Sequence, residues 1–338
     1  MDRILIGGAS EIVVDRGISG GVLPERKDRE KAVVLTQPGA RAVAADLASS
    51  MDAEHLIVEL PDREEAKSLG TLGVVYDRLA EFNLGRHDTV VGVGGGAVTD
   101  VAGFVAATWL RGVESVLVPT TMLGAVDAAI GGKTGINVGG KNLVGAFWHP
   151  SRVVVDLDVL DRLPDAIRLE GDAEALKTGL IGDPEIVTEY ERAGGRASLD
   201  VIVPRSIAVK AAVVNEDFRE SGRRAILNFG HTIGHAVEVV TGLPHGFSVS
   251  VGMVAAAAVS NRRYGFDHTW LSRLVFSIGL PVAAAGVPVD TCRELVARDK
   301  KRSAEGIRMV LLRAVGDPVV ETVTEDELDL ALRSIGAE

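Results

Sequence analysis

The first 160 residues alternate short β-branched runs with amphipathic helical patterns, and this alternation restricts the fold more than any other feature of the chain. Ala32 to Thr36 (AVVLT), Leu56 to Leu60 (LIVEL), Thr89 to Val93 (TVVGV), Ser115 to Val118 (SVLV) and Arg152 to Asp156 (RVVVD) read as strands, with helical segments such as Glu64 to Glu81 between several of them. Strands that take turns with helices pair in parallel through crossovers, and the helices cover the sheet. Ligands of such sheets sit at the carboxyl ends of the strands. After Leu163-Pro164 the pattern changes to long alanine-rich helical stretches at Asp172 to Ile181, Ile202 to Asn215, Asn228 to Val240 and Phe247 to Tyr264. The later strand candidate, Ile307 to Leu312, has the look of one arm of a hairpin. The expected fold is an α/β N-terminal domain over residues 1–163, Rossmann-like with a mainly parallel sheet, followed by a mostly α-helical C-terminal domain over residues 164–338.

At 338 residues, 46% hydrophobic and 25% charged, the chain has ample material for two cores. Its net charge of -11 argues against a general affinity for nucleic acid, whose phosphates would repel it. Cys292 is the only cysteine, so an internal disulfide is excluded and a reducing cytoplasm is expected; any metal must then use histidine and carboxylate. The N-terminus has acidic residues early and no sustained apolar core, so it does not read as a signal peptide. Val249 to Val259 is too short to span a bilayer, and no membrane partner is expected.

Gly92-Val93-Gly94-Gly95-Gly96-Ala97 follows a strand and opens a helix running to about Trp109. Glycines there let a backbone approach a pyrophosphate at a helix N-terminus. The turn lies in a later βα unit and no acidic residue ends the next strand, so it is a poor match to a standard dinucleotide fingerprint; a tight turn for packing alone is the competing reading. From Arg111 to Asn142 the chain gathers groups suited to anions and hydroxyls: Arg111, Thr120, Thr121, Asp127, Gly131-Gly132-Lys133-Thr134 and Gly140-Lys141-Asn142.

Three of the seven histidines fall between Leu227 and His245. In LNFGHTIGHAVE, His231 and His235 are four residues apart, so on a helix both project from one face in the manner of a metal or anion site. A hydrogen-bonded packing pair has the same spacing.

Together GGGAVTDVAGFVAATWLRG, VPTTMLGAVDAAIGGKTGIN, GKNLVGAFWHP, AEALKTGLI, LNFGHTIGHAVE, HGFSVSVGM and RDKKRSAEGIRMVLL resemble the 3-dehydroquinate synthase family of sugar phosphate cyclases, in order from about Asp62 to Leu312. The loop Val138-Gly139-Gly140 is a residue shorter than usual, the His231 to His245 interval is also short, and HGFSV stands where HGEAV is common. The resemblance implies zinc, with cobalt as the alternative ion, held by Glu174, His231 and His245. It sends His235 to substrate instead, with Arg224, Asn228, Lys133, Asn142, Lys177, Lys210 and one of Lys300 and Lys301; Asp127 belongs near the reacting hydroxyls, and Arg111 reaches the phosphate across a homodimer interface. It implies an NAD site of Asp62, Glu64, Lys67, Gly94, Gly95, Gly96, Asp100, Thr120, Thr121, Lys133 and Lys141, with Val159, Leu160 and Arg162 beside them.

The implied activity converts a sugar phosphate, 3-deoxy-D-arabino-heptulosonate 7-phosphate, to 3-dehydroquinate and phosphate. The steps are transient oxidation by NAD, β-elimination of phosphate, re-reduction, ring opening and intramolecular aldol closure, which need a Lewis acid at a diol and positive groups at a phosphate. Rival readings are a valiolone-type cyclase acting on sedoheptulose 7-phosphate, a metal-dependent polyol dehydrogenase and a catalytically dead NAD-binding regulator. The implied ligand set also makes a geometric demand. An unbroken helix from His231 to Thr241 would separate its ends by about 15 Å, so His245 can meet His231 only if the chain reverses at Gly242 and Pro244.

Overall fold

The computed structural model describes residues 2–18, 21–220, 222–284, 286–300 and 306–337. The chain divides into two compact units, Met1–Pro164 with Lys210–Asn215, and Asp165–Val209 with Glu216–Glu338.

The first unit contains, in chain order, β1 (Asp2–Ile6), β2 (Ser10–Asp15), β3 (Lys31–Thr36), α1 (Arg41–Ser49), β4 (Glu54–Glu59), α2 (Leu69–Glu81), β5 (Thr89–Gly94), α3 (Gly96–Thr108), β6 (Glu114–Pro119), β7 (Lys133–Ile136), β8 (Val144–Phe147), β9 (Arg152–Asp156) and α4 (Leu157–Asp161). Seven strands form one sheet in the order β1-β2-β9-β6-β5-β3-β4. Every pairing is parallel except β1 with β2. The five β-branched runs are the strands β3, β4, β5, β6 and β9, and β2 is the sixth strand in parallel pairing, against β9. Of these, β5 is buried along its whole length, as expected for a strand covered on both faces. Val34, Val91, Val93, Val116, Val118 and Val154 form one core cluster with Ala44, Leu47 and Ala48 of α1.

Two pairings were not expected. β1 and β2 join as a hairpin through Gly7 and Gly8, both with φ near +60°. β7 and β8 form a separate antiparallel hairpin in which Gly135 and Gly145 face each other; a Cβ on Gly145 would lie 2.2 Å from the Thr134 carbonyl oxygen. The stretch Glu64 to Glu81 is two pieces, a 3₁₀ turn at Arg63–Ala66 and then α2, which Ser68 caps by accepting from the Thr71 N–H.

The second unit holds α5 (Asp165–Gly182), α6 (Pro184–Ala193), most of α7 (Leu199–Glu216), α8 (His231–Thr241), α9 (His245–Tyr264), α10 (His268–Ile278), α11 (Val289–Lys300), β10 (Ile307–Ala314), β11 (Asp317–Val323) and α12 (Glu325–Ser334). The Ile307 segment is one arm of a hairpin, with β11 as the other. The helix expected from Asn228 starts instead at His231, because Gly230 takes φ +81° and Arg223–Asn228 is a 3₁₀ turn. α9 is the buried axis of this unit, with almost every residue from Gly246 to Ser260 out of solvent, and α5, α8, α10 and α12 pack on it. Among the described residues no helix is long and apolar enough to cross a membrane.

Candidate active site

Three helices of the second unit converge because glycines let their backbones touch. Gly252 of α9 lies where a Cβ would be 1.9 Å from the Gly230 carbonyl oxygen, and a Cβ on Gly234 of α8 would be 2.8 Å from the Ser248 carbonyl oxygen. Gly246, the second residue of α9, abuts α5, where a Cβ would be 2.2 Å from the Glu170 carbonyl oxygen. Glu174 is one turn beyond Glu170, on the same face of α5. α8 stops at Gly242 with φ +69°, Leu243 and Pro244 carry the chain around, and α9 begins at His245. The reversal that the sequence demanded is present.

Its result is a cluster. Ligand atoms of Glu174, His231 and His245 lie within 4.8 Å of one another. Both imidazole Nε2 atoms are 3.5 Å from the same oxygen, Glu174 Oε1. Both carboxylate oxygens of Glu174 are buried without a well-directed hydrogen bond among the described residues, while the Lys177 ammonium lies against Oε2. A buried carboxylate that turns one and the same oxygen to two imidazoles is how a metal ligand looks, and one carboxylate with two histidines is a donor set zinc takes. The residues therefore fit a divalent ion.

Burial alone would raise the Glu174 carboxyl, but Lys177, then His231 and His245, outweigh it and hold the group well below the usual carboxylate range. Burial, seconded by Lys177, pushes His231 down to about 3, so its ring is neutral, the form that binds metal. Burial also opposes charge on His245, yet hydrogen bonds to Glu174 and Glu238 carry it up to about 10.

His235 is exposed, with its ring 5.2 Å from that of His231 and 6.0 Å from that of His245. It lines a pocket of about 230 Å³ with His231, Asn228, Thr232 and Arg308. Asn228 donates to Glu220 at 3.3 Å. Arg224 is fully buried and donates to the Phe218 carbonyl at 2.7 Å, while its backbone N–H and that of Gly222 are held by Asp217. Lys300 closes α11, and Lys301 lies outside the described residues.

In the first unit a second group of the expected residues comes together. A pocket of about 450 Å³ is lined by Asp100, Lys133, Thr134, Asn142 and Phe147 among others. Lys67 pairs with Asp100 at 2.6 Å. Asn137 ties this region together with one bond given and one received: its side-chain nitrogen donates to Glu64 at 2.8 Å, and its side-chain oxygen accepts from the Asn142 N–H at 2.9 Å. Lys210 reaches the backbone oxygen of Asp127 and, at 2.5 Å, its carboxylate. The Thr120 N–H donates to Gly94 at 2.8 Å, and Thr121 accepts from the Gly124 N–H. Gly94 has a packing reason of its own, since a Cβ there would lie 2.5 Å from Val98; Gly95 and Gly96 would meet Thr121 and Ala128 at 3.2 and 3.1 Å. Asp62, Arg111, Lys141 and Arg162 are exposed, Val159 is half-buried and Leu160 is wholly buried.

The sequence reading did not single out Arg308, Asn137 or Glu238. Glu238 was the discoverable one, seven residues after His231 and so on the same helix face. Residues 57–169 match the family model described as 3-dehydroquinate synthase N-terminal, and residues 171–302 match the one described as 3-dehydroquinate synthase C-terminal.

The chain belongs to the 3-dehydroquinate synthase family.

A 3-dehydroquinate synthase of Corynebacterium efficiens is 42% identical over 99% of this chain and 98% of its own length. Among solved structures of the same fold, a 2-epi-5-epi-valiolone synthase from Streptomyces hygroscopicus with NAD+ and Zn2+ bound is 25% identical, with a TM-score of 0.85 over 96% of each chain. A 2-deoxy-scyllo-inosose synthase complexed with carbaglucose-6-phosphate, NAD+ and Co2+ is likewise 25% identical, with a TM-score of 0.84 over 98% of this chain and 100% of that one.

Proposed function

We propose that this chain converts 3-deoxy-D-arabino-heptulosonate 7-phosphate to 3-dehydroquinate and phosphate, using NAD+ and a divalent ion, zinc or cobalt, as resident cofactors. The observation that carries this is the convergence of Glu174, His231 and His245 around one buried carboxylate oxygen, in a chain that matches the family along both halves. Bound at these residues, the ion supplies Lewis acidity toward a substrate diol, and the nicotinamide supplies a reversible hydride acceptor.

The protein's own residues do the rest. Glu174, His231 and His245 offer three donors and leave the remaining positions to substrate hydroxyls. Lys177 offsets the Glu174 charge in a place water does not reach. His235, exposed beside His231, is placed to orient a hydroxyl and to take or return its proton, with Asn228 as a neighbouring hydrogen-bonding group. Arg224 and whichever of Lys300 and Lys301 faces the substrate add positive charge. Lys133 and Asn142 hold anionic or hydroxyl groups in the first unit's pocket, and Lys210 fixes Asp127. The cofactor is assigned to Asp62, Glu64, Lys67, Gly94, Gly95, Gly96, Asp100, Thr120, Thr121, Lys133, Lys141 and the Val159 to Arg162 segment. The enzyme works as a cytoplasmic homodimer, with Arg111 of one subunit serving the phosphate site of the other.

A higher identity to dehydroquinate synthases, 42% against 25% for the valiolone and inosose cyclases, favours the heptulosonate substrate over sedoheptulose 7-phosphate. The deciding assay incubates purified protein with NAD+, zinc and each sugar phosphate in turn. Phosphate release and dehydroquinate formation from the heptulosonate, without accumulation of NADH, is the expected result. A folded, zinc-loaded sample that releases no phosphate from it, or that accumulates NADH with a polyol, would rule the assignment out.

A further inference from the structure

The three candidate ligands are not held equally. Glu174 is 1% exposed and sits in the middle of α5, and His231 is 13% exposed. His245 is 29% exposed, the most of the three, and like His231 it is the first residue of its helix, so surrounding packing does least to fix its ring. The ring that most needs an outside brace has one. Its Nδ1 is 3.0 Å from Glu238 Oε2, while its Nε2 faces Glu174 Oε1.

An ionised carboxylate only accepts hydrogen bonds, so the proton between Nδ1 and Glu238 belongs to the ring. As a metal ligand the ring must be neutral, and with Nδ1–H held by Glu238 its lone pair is then on Nε2, the atom turned toward Glu174. His231 has the same arrangement with a weaker partner, its Nδ1 3.3 Å from the Phe229 carbonyl oxygen. Both rings thus turn Nε2 inward and spend Nδ1 on an acceptor behind them. Glu238 reaches that place because it lies two turns after His231 on α8 and because the Gly242–Pro244 reversal returns His245 alongside it.

We propose that Glu238 is the positioning residue of the metal centre: its carboxylate holds His245 in the tautomer and plane that present Nε2 beside Glu174, and so sets metal affinity without touching the ion. This rests on the metal site assigned above. Carboxylates behind metal-bound histidines typically change metal affinity by about 10–100-fold.

The test measures zinc affinity of the full chain by competition with a chromophoric chelator, for the parent, Glu174→Ala, Glu238→Ala and Glu238→Gln, with far-UV circular dichroism as the control for folding. Glu238→Ala should bind zinc about 10–100-fold more weakly, and Glu238→Gln should lose less, because an amide oxygen still accepts from Nδ1–H. The visible absorption of bound Co2+, which reports ligand geometry, should shift in Glu238→Ala, and NAD+ affinity should stay at the parent value. Zinc affinity within about twofold of the parent and an unshifted cobalt spectrum in Glu238→Ala, while Glu174→Ala loses zinc, would overturn the role of Glu238 alone. A parent protein with no zinc affinity would overturn the metal site and this role together.

Discussion

Lys177 follows Glu174 by one turn of α5, with its ammonium against the carboxylate and both side chains no more than 2% exposed. Removing one partner of a buried ion pair strands the other charge, at a cost of about 3–5 kcal/mol. Lys177→Met should therefore destabilise the metal-free protein by about that amount. A divalent ion can replace the missing positive charge, so zinc should restore more stability to the variant than to the parent. Urea unfolding with and without zinc measures both effects, and equal responses to zinc in the two proteins would show that Lys177 does not balance the Glu174 charge.

His231 and His235 are four residues apart on α8, but only His231 turns its Nε2 toward Glu174. Glu174→Ala should consequently lose zinc, whereas His235→Ala should keep it and lose turnover by about 10²-fold or more, as expected for a proton-transfer or orienting group. Zinc content after dialysis, measured beside the phosphate-release rate, separates the two. Retained zinc in Glu174→Ala would mean the ligand set is wrong.

The parallel sheet was legible because its strands are buried runs of valine, leucine and isoleucine, and burial on both faces leaves that mark on a sequence. The hairpin arm at Ile307 was legible too, but the hairpins β1–β2 and β7–β8 were not. β8 reads VGAF with none of its four residues buried, so it has no periodicity to find, and the register of β7 with β8 depends on two opposed glycines that sequence patterns score as turns. In the cluster of Glu174, His231 and His245, helical spacing favoured the pair His231 and His235, whereas the geometry depends on contacts spacing cannot express. Glu174 precedes His231 by more than fifty residues, and it arrives beside the histidines only because Gly246 packs on Glu170. Gly242 and Pro244 did announce the reversal, since a left-handed residue and a proline are local signals.

Those glycine contacts make a sharp comparison possible. Gly252→Ala would put a methyl group 1.9 Å from the Gly230 carbonyl oxygen, a backbone atom that cannot swing aside, so α8 and α9 must separate. The expected outcome is a loss of about 3 kcal/mol or more and weaker zinc binding, because His231 and His245 ride on the two helices. Gly242→Ala meets nothing within 4 Å and suffers only from its φ of +69°, for which about 1 kcal/mol is the ordinary cost. Zinc affinity should survive that change. Equal losses of zinc in the two variants would argue against the helix crossing as the element that sets the cluster.

Burial raises the Asp100 carboxyl from 3.8 to about 6, even though Lys67, 2.6 Å away, pulls in the other direction. A carboxyl whose folded pKa lies above its unfolded one takes up a proton on folding between the two values. Its stabilising contribution is fully present below about pH 3.8 and is lost as the pH rises through about 6. Asp100→Asn abolishes this titration and leaves a constant offset from the lost ion pair with Lys67. The unfolding free energy of the parent minus that of the variant should then fall by about 2 kcal/mol between about pH 4 and about pH 7, a figure reduced somewhat for the partial exposure of the side chain. Urea titrations of both proteins at several pH values across that window give the difference directly. A difference that rises with pH would mean that Lys67 outweighs burial and holds Asp100 ionised throughout.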